Sequence, residues 1–263
     1  TVPTDLERAG DFSQSRDANG NPIIIRDPNT GQAFPGNRIP PDRISQNGLA
    51  ILNVFPLPNQ LDRNVTRGAY NYTFQESLDV PKRQHVIRMD YRPNEKDQFY
   101  VRGKTWRSDS QGYAVPAGTS NWGLLGLHYL FTDEGLLGNW TRIVNSSVVN
   151  ELSVGVRRSE EAGPPLDDDE LQRRTRGAIG FTAGQFAPSI NPLNIIPQAL
   201  FNGVPGTAAN ITYDGRTPLT GSDDVFTLNN TLTMTRGNHA YKAGFYFEHV
   251  RNKEGATATF GGQ

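Results

Sequence analysis

The chain has 263 residues, with 26 basic and 27 acidic side chains, no cysteine, 27 glycines and 18 prolines. A net charge of -1 removes any global electrostatic case for nucleic acid, and the missing cysteine removes disulfide scaffolds, thiolate metal sites and cysteine nucleophiles. The chain contains no run of 18 apolar residues, which excludes a spanning helix but not a barrel, whose strands show lipid only every second residue.

Residues 1–80 read as a loop-rich extracellular segment. They are dense in the Asn, Asp, Gly and Pro that set turn dihedrals, as in 17–24 and 27–37. One short helix is predicted from Pro41 to Phe55, with Pro41 in its first turn and Ile44, Leu49, Ile51, Leu52 and Phe55 on a ragged apolar face.

From residue 81 onward the apolar period is two, the mark of strands with one apolar and one polar face. Gln84–Tyr91 sets Ile87 and Met89 against Arg88 and Asp90. A polar turn, Arg92–Asp97, leads to Gln98–Arg107, where Phe99 and Val101 oppose Arg102 and Lys104. After a Gly/Ser-rich loop at 108–120 come two strand candidates, Asn121–Phe131 and Glu134–Ile143, the second with Arg142 among its polar positions. Glu151–Arg158 follows, with Leu152, Val154 and Val156 on its apolar face. Residues 159–222 have no periodicity and are predicted to be a mobile external loop. Its acidic run Asp167–Glu170 is expected to pair with Arg173, Arg174 and Arg176 or stay solvated, with one helical turn near Asp168–Arg174.

The final hairpin is the longest. Phe226, Leu228, Leu232 and Met234 fall at alternate positions of Val225–Thr235. Phe245 and Phe247 oppose Lys242 and Glu248 in Tyr241–Val250. Strands of about ten residues are roughly twice the usual soluble length and match the 9–11 residues a tilted strand needs to cross a bilayer. Short turns alternate with long connections, as in outer-membrane barrels. The predicted class is therefore all-β: an antiparallel transmembrane β-barrel segment of long meander hairpins with long extracellular loops. Its barrel strands occupy 81–263.

In that reading Arg88, Asp90, Arg102, Lys104, Arg142, Lys242 and Glu248 face a watery lumen. Ile87, Met89, Phe99, Val101, Leu152, Val154, Val156, Leu232, Met234, Phe245 and Phe247 face outer-membrane lipid. Trp106, Trp122, Trp140, Tyr91, Tyr100 and Tyr129 suit either an aromatic girdle or ordinary sheet packing.

Thr1–Ser13, Asp27–Pro40 and Asn53–Asn59 resemble Oar-like TonB-dependent receptors, as do Arg88–Tyr91 with Phe99–Gly103 and Thr235–His239 with Lys242–Gly244. The resemblance implies a receptor of the bacterial outer membrane that takes up a bulky solute through energy-coupled gating. Its partners would be a TonB-type coupling protein, acting through a plug region outside these residues, and a solute whose identity loop chemistry does not reveal. It also implies an internal slice carrying about six to eight strands of a barrel of about 22.

No residue is expected to perform bond chemistry, and no cofactor or metal is expected. His85, His128, His239 and His249 lack HExxH spacing, and Ser120, Ser146 and Ser147 sit in no GxSxG elbow. Asp167–Glu170 lacks the alternating oxygen ligands of a calcium loop. For Arg173, Arg174 and Arg176, a phosphate or lipopolysaccharide contact stands beside local pairing with the acidic run. The rival fold is a secreted or surface β-sandwich binding module, possibly carbohydrate-directed, which would bury the same apolar faces between two sheets. A hydrolase has only these missing motifs to speak to it.

Overall fold

A computed structural model describes residues 1–116, 122–201, 208–214 and 217–256. Ser120 and Asn121 lie outside them. Six strands form one antiparallel meander in sequence order: β1 (Lys82–Tyr91), β2 (Asp97–Gly112), β3 (Leu127–Asn145), β4 (Val148–Gly163), β5 (Leu219–Arg236) and β6 (His239–Ala256). The sheet is not closed, because β1 and β6 each pair on one side only. Among the described residues four short α-helices lie outside it: α1 (Asp5–Arg8), α2 (Gln46–Leu52), α3 (Arg63–Thr66) and α4 (Asp168–Gln172).

The all-β antiparallel class is what the alternating runs predict, but three details differ, besides β2 running on through Gly112 into the loop expected at 108–120. The two strands expected at Asn121–Phe131 and Glu134–Ile143 are one, β3. Thr132 and Asp133 stay in the ladder, opposite Arg107 and Trp106 on one side and Glu160 and Ser159 on the other. Their run of polar residues hides the strand because it lies where both faces of the sheet are hydrophilic. The predicted helix Pro41–Phe55 is shorter. Ser45, in extended backbone, accepts a hydrogen bond from the Gly48 N–H and so starts α2 at Gln46.

The third difference is the largest. Strands β4 and β5 absorb both ends of the irregular tract, and described residues between them pack into a core. Ile195, Ile196, Ile211 and Tyr213 from that tract are buried. They share one core with Val2, Ile51, Val54 and Phe55 of the N-terminal segment, and with Val115, Trp122, Leu124 and Leu125 of the β2–β3 connection. The buried core of this chain therefore lies in its long connections, which build a cap at one end of the sheet. Among the described residues all six strands belong to a single sheet, with no second sheet to make a sandwich.

Candidate functional site

Strand register divides the sheet into two faces, because residues opposite one another in an antiparallel pair point the same way. On one face the chain of partners runs Met89, Val101, Gly138, Val154, Leu228, Phe247. One row toward the short turns it runs Tyr91, Phe99, Trp140, Leu152, Asn230, Phe245. One row toward the cap it runs Ile87, Gly103, Leu136, Val156, Phe226, His249. Leu232 and Met234 share this face. All eleven residues in the lipid-facing set thus lie together, and they are uncovered: Ile87 is 67% exposed, Met89 66% and Phe245 54%.

The opposite face is hydrophilic. Arg88, Asp90, Arg102, Lys104, Lys242 and Glu248 are on it, joined by Asn139, Glu151, Ser153, Arg157, Thr227 and Asn229. Arg88 pairs with Asp90 at 2.7 Å and lies 4.0 Å over the Tyr100 ring. Lys104 Nζ meets Asp133 at 2.9 Å. Asn139 donates to Ser153 Oγ at 2.9 Å.

Arg142 departs from the set in which the sequence places it. It lies in register with Asp97, on the apolar side. There it sits at the short-turn rim, bonded to Asp97 at 3.3 Å and against the Trp140 ring, whose indole N–H also donates to Asp97 at 2.9 Å. A charge at the edge of an apolar band can reach water by extending along it. Sequence alternation misses this because it reports which face a residue occupies only relative to its neighbours, and here the neighbours are Trp140 and Thr141.

The aromatic residues divide in the same way. Tyr91, Phe99 and Trp140 form a stacked row on the apolar face near the short turns, with Phe99 and Trp140 almost parallel at 5.9 Å. Trp106, Tyr100 and Tyr129 belong to the polar face, and Trp122 is buried in the cap.

The hairpin ends also show how the strands lie. The last pair of the first hairpin, Tyr91 with Phe99, traces through the register to Asn230 on β5. The last pair of the second, Asn145 with Val148, traces to Met234, and the third ends at Arg236. The ends climb by four residues and then by two, each over two strands, or about 1 to 2 residues per strand. At about 3.4 Å per residue and about 4.8 Å between strands, turns on one level require a tilt of about 35–55°. Phe226 to Met234 then spans about 19 Å of height at a mid-range tilt, most of the apolar band of about 25 Å on membrane barrels.

The cap covers the polar face at the far end. Ser108, Ser110, Leu127, Ser159 and Leu219, all on that face or at its upper limit, are buried. Polar clasps that carry no periodicity hold it down. Glu76 accepts backbone N–H bonds from Tyr113 and Ala114 at 2.9 Å each. Glu170, buried, accepts from the Gly126 N–H and pairs with Arg173 at 2.6 Å. Arg174 donates to the Leu124 carbonyl and Arg176 to that of Ala183, so the arginine cluster is spent within the cap. Burial lowers the Arg174 pKa and raises that of Tyr113. Near the N-terminus, hydrogen bonds from Ser13 hold the Asp11 carboxyl down to about 2, with help from Arg38. Among the described residues no group of three or more His, Asp or Glu side chains is placed to hold a metal ion.

Long tilted strands, one uncovered apolar face and one polar face roofed at a single end define the wall of a membrane β-barrel. The chain matches the family model for the outer membrane beta barrel domain over residues 1–263 and belongs to that family. It is an outer-membrane protein, and its apolar face fits association with membrane lipid. No curated protein and no solved structure matches the chain.

Proposed function

We propose that the chain is part of a TonB-dependent, Oar-like receptor of the bacterial outer membrane, which takes up a bulky solute by energy-coupled gating. The observation that carries this reading is the roof. A passage along the polar face is covered at the long-connection end by a packed cap, so traffic needs a controlled opening rather than an always-open pore. The cap is the extracellular side in this reading, and the apolar face meets lipid. A plug region outside these residues would transmit force from a TonB-type partner. The chain's own residues recognise and guide solute and break no bonds. The test is solute accumulation by cells carrying the full-length receptor, before and after the inner membrane is de-energised. Accumulation that continues unchanged after de-energisation overturns the coupled mechanism.

A further inference from the structure

On the polar face, directly below the cap, the sheet has a hollow of about 460 Å³ bordered by Arg102, Lys104 and Arg157 and floored by Gly135 and Gly155. Gly135 lies between Lys104 on β2 and Arg157 on β4 in the same row of the ladder. Glycine weakens a strand interior, and where it persists it marks a place that another group approaches closely. Packing does not demand it at Gly135: an added Cβ would meet only the Val156 carbonyl at 3.5 Å and the Arg157 side chain at 3.8 Å, ordinary contacts. Its effect is to leave the floor open between two cationic arms.

The charges around the hollow are unequally engaged. Lys104 is held by Asp133, Asp223 accepts from Asn252, and Glu248 accepts from the Tyr246 hydroxyl. Arg102 and Arg157 have neither an ion-pair nor a hydrogen-bond partner among the described residues. Both are exposed. Two guanidinium groups facing an open floor are suited to planar, bidentate recognition of an oxyanion, and rings of Arg and Lys are how pores select anions. We propose that Arg102 and Arg157, across the floor at Gly135, form a site for a carboxylate or phosphate group carried by the solute. The inference rests on the reading of the polar face as the solute's passage, and it narrows the solute to an anionic one.

The experiment is calorimetric titration of the full-length barrel, purified folded in detergent, with citrate and with pyrophosphate as probes. Saturable binding of one or both is expected, and the preferred probe assigns the oxyanion class. Arg102→Gln and Arg157→Gln are each expected to weaken binding about tenfold or more, the scale of one lost charge-assisted contact. Arg157→Lys should recover part of the loss. Gly135→Asp, which fills the floor with a like charge, should abolish binding while strand content by circular dichroism stays unchanged. Arg236→Gln, at the short-turn end, should bind as the parent does. Absence of binding by both probes overturns the site, as does binding that the Arg102 and Arg157 variants leave intact or that Arg236→Gln weakens equally. Failure of the transport reading looks different: uptake proves independent of inner-membrane energy while the titration result stands.

Discussion

The Tyr213 hydroxyl donates to the Ile196 carbonyl at 2.7 Å, and both residues are buried in the cap core. Burial raises the Tyr213 pKa well above the ordinary phenol value. The folded state therefore keeps the proton that the unfolded chain gives up near pH 10. The associated stability is complete below about pH 10 and falls as pH rises beyond it, because the unfolded state binds fewer protons there. Alkaline titration followed by phenolate absorbance should show one tyrosine ionising only as the cap opens. In Tyr213→Phe that opening should move to higher pH, while stability at pH 7 falls by about 1–3 kcal/mol for the carbonyl left unpaired. An unchanged alkaline midpoint would refute the assignment.

Arg8 fastens α1 to the end of α2. Its guanidinium donates to the carbonyls of Leu52 at 2.8 Å, Phe55 at 3.0 Å and Pro56 at 2.9 Å, and the Leu52 carbonyl belongs to the last turn of that helix. A cation at a helix C-terminus also meets the negative end of its dipole. Arg8→Ala should cost about 1.5–3 kcal/mol of cap stability, and Arg8→Lys should recover less than half, since one ammonium cannot span three divergent carbonyls. Limited proteolysis of the 1–80 segment gives the comparison; equal protection in Arg8→Ala and the parent would contradict it.

Ile196 is fully buried in the same core. Ile196→Ala should destabilise the cap by about 2–5 kcal/mol through lost burial and the cavity left behind. Deleting 164–217 should do worse, exposing Val2, Phe55, Leu124 and Leu125 together and lowering assembly yield. Heat-modifiable mobility on gels reads both variants, and normal assembly of the deletion would show that the tract is dispensable.

Phe245 and Lys242 sit three residues apart on opposite faces of β6. In the full-length barrel, Phe245→Lys should cost about 2–4 kcal/mol of folding into a bilayer, the penalty for a cation near the midplane. Lys242→Phe on the polar face should cost much less. Equal costs, measured by urea titration in lipid vesicles, would mean that the faces are reversed or that neither meets lipid.

The sheet was readable in the sequence because a half-exposed strand must alternate: Met89 with Arg88, and Phe245 with Tyr246, declare a face by position alone. The cap was not readable in that way. Ile195, Ile196 and Ile211 lie in irregular backbone, where no period tells a buried side chain from an exposed one. Glu76 and Arg174 work through single backbone groups far away in sequence. One cap signal was present in the letters. Thr4 followed by Glu7 is a capping box, and both of its reciprocal hydrogen bonds form at the start of α1. Arg142 shows the limit of alternation at a strand end, where a rim position and a polar face look alike.

The climb of the hairpin ends limits what the free edges of β1 and β6 can do. Six strands at about 45° of tilt lay out roughly 41 Å of wall. Rolled upon themselves they would make a cylinder only about 13–14 Å across between backbones, narrower than the eight-stranded barrels whose interiors side chains already fill. Arg88, Arg102, Trp106 and Tyr129 all project from the polar side and would collide in so small a bore. A solute passage along the polar side therefore calls for more wall than these six strands lay out.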